Sequence, residues 1–436
     1  MCADDDAVST GDKLGSSSTD AWRWRWWWVQ AWASWLAQVG GRPSAVVRWF
    51  MPFWFTVCMG TGMLSACLAR IPYDVAAIRW TGLGLFALNA VLLVAFLVVL
   101  VVQAVVYPET WAYMRRHPQR MLHYGAVPMA LATAVTGTLG FGFHEAHRGV
   151  LYAAWAAWWV AVALAWAAAV LLVYLAASRA TRSIEAVTGA WLLLVAPLTV
   201  CATAGAALAE SLAGSAAYAT LVCSYVLAGA GVPLTCCVVV LYMHRIAAHK
   251  LPPSDAILTA FIPLGPVAQA GVAALALGSA AQDLLPQALP ASAEALAPVL
   301  YGLGVAAALA AWGSALFWAA HAVFCVAYQH HCCTTGARVP FGIGWWALTF
   351  PVGVFATLTA ALGDALELPA FRVFFVLLVA LLLGLWLIIV ARTAAGLCTG
   401  AIFDIPGLIA MDDDSNDSDD SSGELTAATS SSSSLP

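Results

Sequence analysis

The chain has 436 residues, of which 62% are hydrophobic and 9% charged, and its mean hydropathy is +0.85. No soluble domain of this length hides so much apolar surface, so the composition specifies an all-α polytopic membrane protein. The net charge of −5 sits largely in the two ends and argues for no nucleic-acid partner, and no P-loop or Rossmann glycine pattern suggests an ATP-driven pump.

Residues 1–48 read as a cytosolic tail. They open on an acidic stretch without the apolar core of a secretory signal. Within them AWRWRWWWVQAW (21–32) interleaves tryptophan with two arginines, a composition that settles in the headgroup zone. An interfacial helix is expected there; a helix that docks a partner is the alternative.

Residues 49–408 form the membrane domain. Apolar runs long enough to cross a bilayer fall near 52–72, 81–106, 122–143, 150–177, 189–209, 215–243, 257–278, 296–328, 343–363 and 371–391. Ten spans follow. Every second one, beginning with the first, carries a proline: Pro52, Pro128, Pro197, Pro266 and Pro351. A proline inside a helix removes a backbone hydrogen bond, which bilayers tolerate where protein or a water-filled cavity covers the loosened turn. Five broken helices alternating with five smoother ones predict five helical hairpins around a central pore.

Ten spans put both ends on one side. With the ends inside, cytosolic segments hold 14 of the 18 Lys and Arg residues, and only Arg70, Arg79, Arg148 and Arg372 lie outside. The positive-inside rule selects this orientation.

The proline-bearing spans also share small and hydroxyl residues, among them Thr61, Thr133, Thr136, Thr199, Thr203, Gln269 and Thr357. Close helix packing explains such residues singly; their recurrence in all five spans points to a narrow polar lining. No charged residue occupies the middle of these spans, which argues against a carboxylate-switched, proton-coupled carrier. His321, in the eighth span, is the best titratable candidate or else a packing residue. Hydroxyls, backbone dipoles and cytosolic positive charge suit anions as cargo. No cofactor is called for, and the run from His330 to Cys333 points its ligands in different directions, which disfavours a metal. From 409 to the end the chain is an acidic, serine-rich tail expected to be disordered, open to phosphorylation at Ser415, Ser418, Ser421 and Ser422 or simply solvating.

Several motifs then become recognisable in order: WFMPFWFTVCMGTG (49–62), RIPY (70–73), YPETW (107–111), VPMALAT (127–133), SYVLAGAGVPL (224–234), KLPP (250–253), FIPLGPVAQAG (261–271) and WWALTFPVGVF (345–355). Together they resemble the tellurite-resistance/dicarboxylate transporter family, which has a slow-anion-channel-like fold, and within it the fungal sulfite efflux pump branch. The malate permease branch is the next most similar. The resemblance implies ten helices, odd ones lining a pore, commonly in a homotrimer, with small inorganic or organic anions as cargo. It also implies that Phe350 plugs the pore. Ala130, Ala268 and Ala270 depart from the family pattern and are expected to narrow the path or shift helix packing; an arginine usual in the family near the end of the second span is missing, with Gln103 in that neighbourhood. The expectation is a plasma-membrane sulfite exporter working as a gated, potential-driven pore, with a dicarboxylate transporter or general anion channel as rivals. No convergent nucleophile or metal set suggests an enzyme.

Overall fold

The computed structural model describes residues 47–48, 50–73, 75–116, 118–174, 184, 187–249, 251, 257–288, 295–332 and 341–399. The chain divides into residues 1–49 and 50–436. Of the first unit only a helical turn at Val47 and Arg48 is described. The tryptophan-rich segment 21–32 and the acidic tail lie outside the described residues, as do the side chains of the His330–Cys333 run.

The described part of the second unit is helical throughout. Its long helices are α1 (Phe55–Ala69), α2 (Ala76–Val106), α3 (Ala126–Gly140), α4 (Arg148–Ala167), α5 (Ala196–Ser211), α6 (Gly214–His249), α7 (Leu264–Ala288), α8 (Leu296–Cys332), α9 (Thr349–Ala365) and α10 (Pro369–Thr399). Eight of these, some with their lead-in turns, are long and apolar enough to cross a membrane. The other two, α3 and α5, have 15 and 16 residues and are not among the eight; in α5 the turn residue Val195 separates the helix from its lead-in.

Each odd helix is introduced by a 3₁₀ segment: Pro52–Trp54, Leu122–Gly125, Gly189–Leu194, Ile257–Phe261 and Ile343–Leu348. The prolines lie in this transition. Pro52 begins its 3₁₀ turn, and Pro128, Pro197, Pro266 and Pro351 occupy the first turn of their α-helices. First-turn N–H groups have no intrahelical acceptor, so proline costs nothing there and its fixed φ favours the helix. The breaks expected within the spans are therefore helix starts. The smoother even spans are not free of proline either, since Pro233 lies inside α6.

The odd helices close a ring, with contacts α1–α3, α3–α5, α5–α7, α7–α9 and α9–α1. Every even helix packs on its hairpin partner and on the next odd helix. Burial follows this two-layer arrangement: 72–83% of the most apolar window is buried in α1, α7 and α9, against 17–39% in α2, α4, α6, α8 and α10. The outer helices present valine and leucine outward (Val91, Val94, Leu377 and Leu381 are exposed), the surface expected to face lipid.

Small residues let the layers approach. A methyl group on Gly205 of α5 would collide with Ser224 of α6 and the Trp158 ring of α4. Tryptophans then pin the layers together by hydrogen bonds. Trp158 Nε1 donates to the Cys201 carbonyl at 2.8 Å, Trp312 Nε1 to Thr359 Oγ1 at 3.0 Å, and Trp386 Nε1 to Thr61 Oγ1 at 3.1 Å. Inter-helix hydrogen bonds in membranes are worth about 0.6–1.7 kcal/mol. Trp386→Phe is accordingly expected to destabilise the protein by about 1 kcal/mol. Thermal unfolding in detergent, in a double-mutant cycle with Thr61→Val, measures that coupling; a zero coupling energy would dismiss it.

Candidate functional site

All five odd helices contribute to a central cavity of about 350 Å³. Met63 of α1, Thr133 and Thr136 of α3, Thr203 of α5, Gln269 of α7, and Phe350 and Thr357 of α9 line it. A second cavity of about 30 Å³ lies at the proline ends, bounded by Phe53, Met59, Met129, Pro266, Trp346, Phe350 and Pro351 among others. Phe350 is the one residue that lines both. It is 6% exposed, and it forms the partition between the wide chamber and the tight apolar one. Gly265 opens the space for this contact, because a methyl group there would press on Pro351 Cγ at 3.3 Å.

Away from its mouth the lining carries no charged side chain, and its threonine hydroxyls are committed. Thr133 donates to the Met129 carbonyl at 2.8 Å, Thr136 to Ala132 at 3.1 Å and Thr357 to Gly353 at 3.0 Å. Threonine hydroxyls in helices habitually bond back to the previous turn. Across the chamber, Gln269 Nε2 donates to Thr203 Oγ1 at 2.7 Å, and Thr203 donates to the Thr199 carbonyl at 3.2 Å. An anion would have to draw hydroxyls away from these carbonyls, a cost set against tight binding. Weak binding is what conduction requires, since a tight site would not release its ion.

Charge gathers at the end of the chamber opposite the prolines. Arg70, at the close of α1, pairs with Asp364 at 3.0 Å. Glu210 and Ser211 close α5, and Ser211 Oγ lies 3.4 Å from His144 Nε2. Arg70, His144, Glu210 and Ser211 all line the chamber, yet none is among the residues the sequence nominates. Their common signal is position: each stands at or just beyond the end of an odd helix, where the chain emerges beside the mouth.

Of the seven nominated lining residues, Thr133, Thr136, Thr203, Gln269 and Thr357 border the chamber. Thr61 and Thr199 do not. The Thr61 hydroxyl serves Trp386 in the outer layer, and Thr199 is fully buried, bonded to the Ala196 carbonyl and packed at Gly231 of α6. Ala130 and Ala268 are fully buried, and neither they nor Ala270 border either cavity. Gln103 donates to the Phe50 carbonyl at 2.8 Å, joining α2 to the start of the first hairpin. His321 sits among Phe317, Trp318 and Cys325 on α8, apart from the chamber. No group of three or more His, Cys, Asp or Glu residues suited to a metal occurs among the described residues.

Comparison with known proteins gives this geometry a context. The family model described as voltage-dependent anion channel matches residues 49–394. A sulfite efflux pump of Arthroderma benhamiae is 31% identical over 355 residues, covering 81% of this chain and 92% of the relative. One from Arthroderma otae is 32% identical over 358 residues with the same coverage. An uncharacterized transporter of Methanocaldococcus jannaschii is 22% identical over 82% of this chain and 96% of its own length.

Proposed function

The chain belongs to the voltage-dependent anion channel family, and on that premise we propose that it exports sulfite through the five-helix conduit, driven by membrane potential and gated by Phe350. The observation that carries this reading is the chamber of about 350 Å³, with Thr133, Thr136, Thr203, Gln269 and Thr357 in its wall and the Phe350 ring between it and the small cavity at the proline ends. The names of the fungal relatives supply the cargo. Family members are transporters or channels rather than enzymes.

In this reading the protein lies in the plasma membrane with both ends cytosolic, so the proline ends and the small cavity face the cell interior. The working form is a homotrimer. Sulfite approaches from the cytosol, displaces the Phe350 ring, crosses the chamber past Gln269 and the threonines, and leaves beside Arg70. A potential of 100 mV, inside negative, supplies about 2.3 kcal/mol per charge, enough to drive efflux against about a 40-fold ratio. A dicarboxylate needs two cationic contacts at matched spacing. The chamber offers one arginine, Arg70, already paired with Asp364, which favours the smaller oxyanion.

Reconstituted vesicles loaded in turn with sulfite, malate, chloride and nitrate test the assignment. Sulfite is expected to leave fastest, and a preference for malate would replace it with the dicarboxylate reading. Gln269→Leu removes the one side-chain amide lining the chamber and leaves the Thr203 hydroxyl without its donor. Hydrogen bonds to charged groups are worth about 1.5–3 kcal/mol, so sulfite flux is expected to fall about tenfold. Unaltered flux would remove Gln269 from the path.

A further inference from the structure

The outer helix α2 carries an unexpected polar group at its midpoint. Gly82, Leu85, Asn89 and Leu93 form its buried stripe, and Asn89 is 1% exposed. Neither Nδ2 nor Oδ1 of Asn89 has a hydrogen-bond partner among the described residues. A buried amide left without partners costs several kcal/mol in an apolar setting, and nothing in the packing of α2 calls for an amide there. Leucine would continue the stripe.

The side chain is aimed inward. A Cβ placed on Gly62 of α1 would stand 2.8 Å from Asn89 Nδ2 and 2.8 Å from Thr133 Cγ2. The absence of a side chain at Gly62 thus lets the Asn89 amide and Thr133 close on α1 from either side. Thr133 is the chamber-lining residue on that side, and Gly62, Asn89 and Thr133 all lie near the middle of their helices. Threonine in a helix populates two χ1 rotamers. Exchange between them takes the Thr133 hydroxyl off the Met129 carbonyl and changes which branch of the side chain faces the amide.

We propose that Asn89 is a specificity-determining residue of the conduit, its carboxamide acting on the oxyanion in the chamber through Thr133. The chemistry selects anions rich in directional acceptors over a spherical halide of the same charge. This inference rests on the sulfite-conduit reading. It adds to the inner ring a member drawn from the outer layer.

Asn89→Leu separates this role from a structural one. Reversal potentials under opposed sulfite and chloride gradients, measured on reconstituted protein, give the permeability ratio. The ratio is expected to fall about tenfold, while the unfolding temperature holds or rises because a buried unpaired amide has been removed. An unchanged ratio, or lost stability with an unchanged ratio, overturns the proposal. If the leucine variant does not fold, the near-isosteric Asn89→Asp decides: a charge at this position should cut sulfite current at least about tenfold, and a parental current refutes the role. A parent protein that carries neither anion would overturn the conduit reading itself, whereas a conducting parent with an insensitive ratio sinks the Asn89 inference alone.

Discussion

Replacing Phe350 with alanine is expected to raise sulfite conductance about tenfold or more above that of the parent. Phe350 is the shared wall of the two cavities, so its loss joins them into one passage. Apolar constrictions block ions by excluding water, and each 1.36 kcal/mol taken from such a barrier multiplies the rate by ten. Buried phenylalanine normally costs about 3–5 kcal/mol to truncate. Here the ring borders open space on both faces, so less packing is lost and the variant should reach the membrane. Phe350→Leu should lie between parent and alanine. A variant that is inserted yet as quiet as the parent would remove Phe350 from the gate.

Gly205→Val is expected to abolish assembly of the ring. The first added carbon would already overlap Ser224 and come within 2.6 Å of the Trp158 indole. Trp158 is fully buried and bonds to the Cys201 carbonyl, so it cannot retreat without giving up that bond. Overpacking costs about 1–3 kcal/mol where neighbours can relax, and here three helices, α4, α5 and α6, meet at one point. Size-exclusion profiles of detergent-solubilised protein should show aggregate or no product. Gly302→Ala on α8, where a methyl group meets nothing within 4 Å, should give the parental profile. A monodisperse Gly205→Val protein would contradict the packing argument.

The architecture was legible because it is written five times. The proline spacing and the alternation of span types led to hairpins around a path, and the ring contacts agree. The physical meaning of the prolines was not legible. Sequence alone does not say whether a proline interrupts a helix or begins one, and the 3₁₀ lead-ins that decide the matter carry no distinctive composition. Thr61 and Thr357 illustrate a second limit. Both lie in apolar stretches with small neighbours, yet one serves Trp386 and the other borders the chamber. Helices buried on all sides lack a polar face, so no periodicity reports their rotation. The same blindness hid Asn89, which a scan of proline-bearing spans never reaches. Arg70 and Glu210 stood at predicted span ends, and only the closed ring brings those ends to one mouth.

Sulfite efflux from vesicles at a clamped potential, with equal pH on both sides, tests the potential-driven conduit most directly. Flux should follow the sign of the potential and stop near a 40-fold ratio per 100 mV for each charge carried. Efflux that ignores the potential and proceeds only down a proton gradient would contradict it.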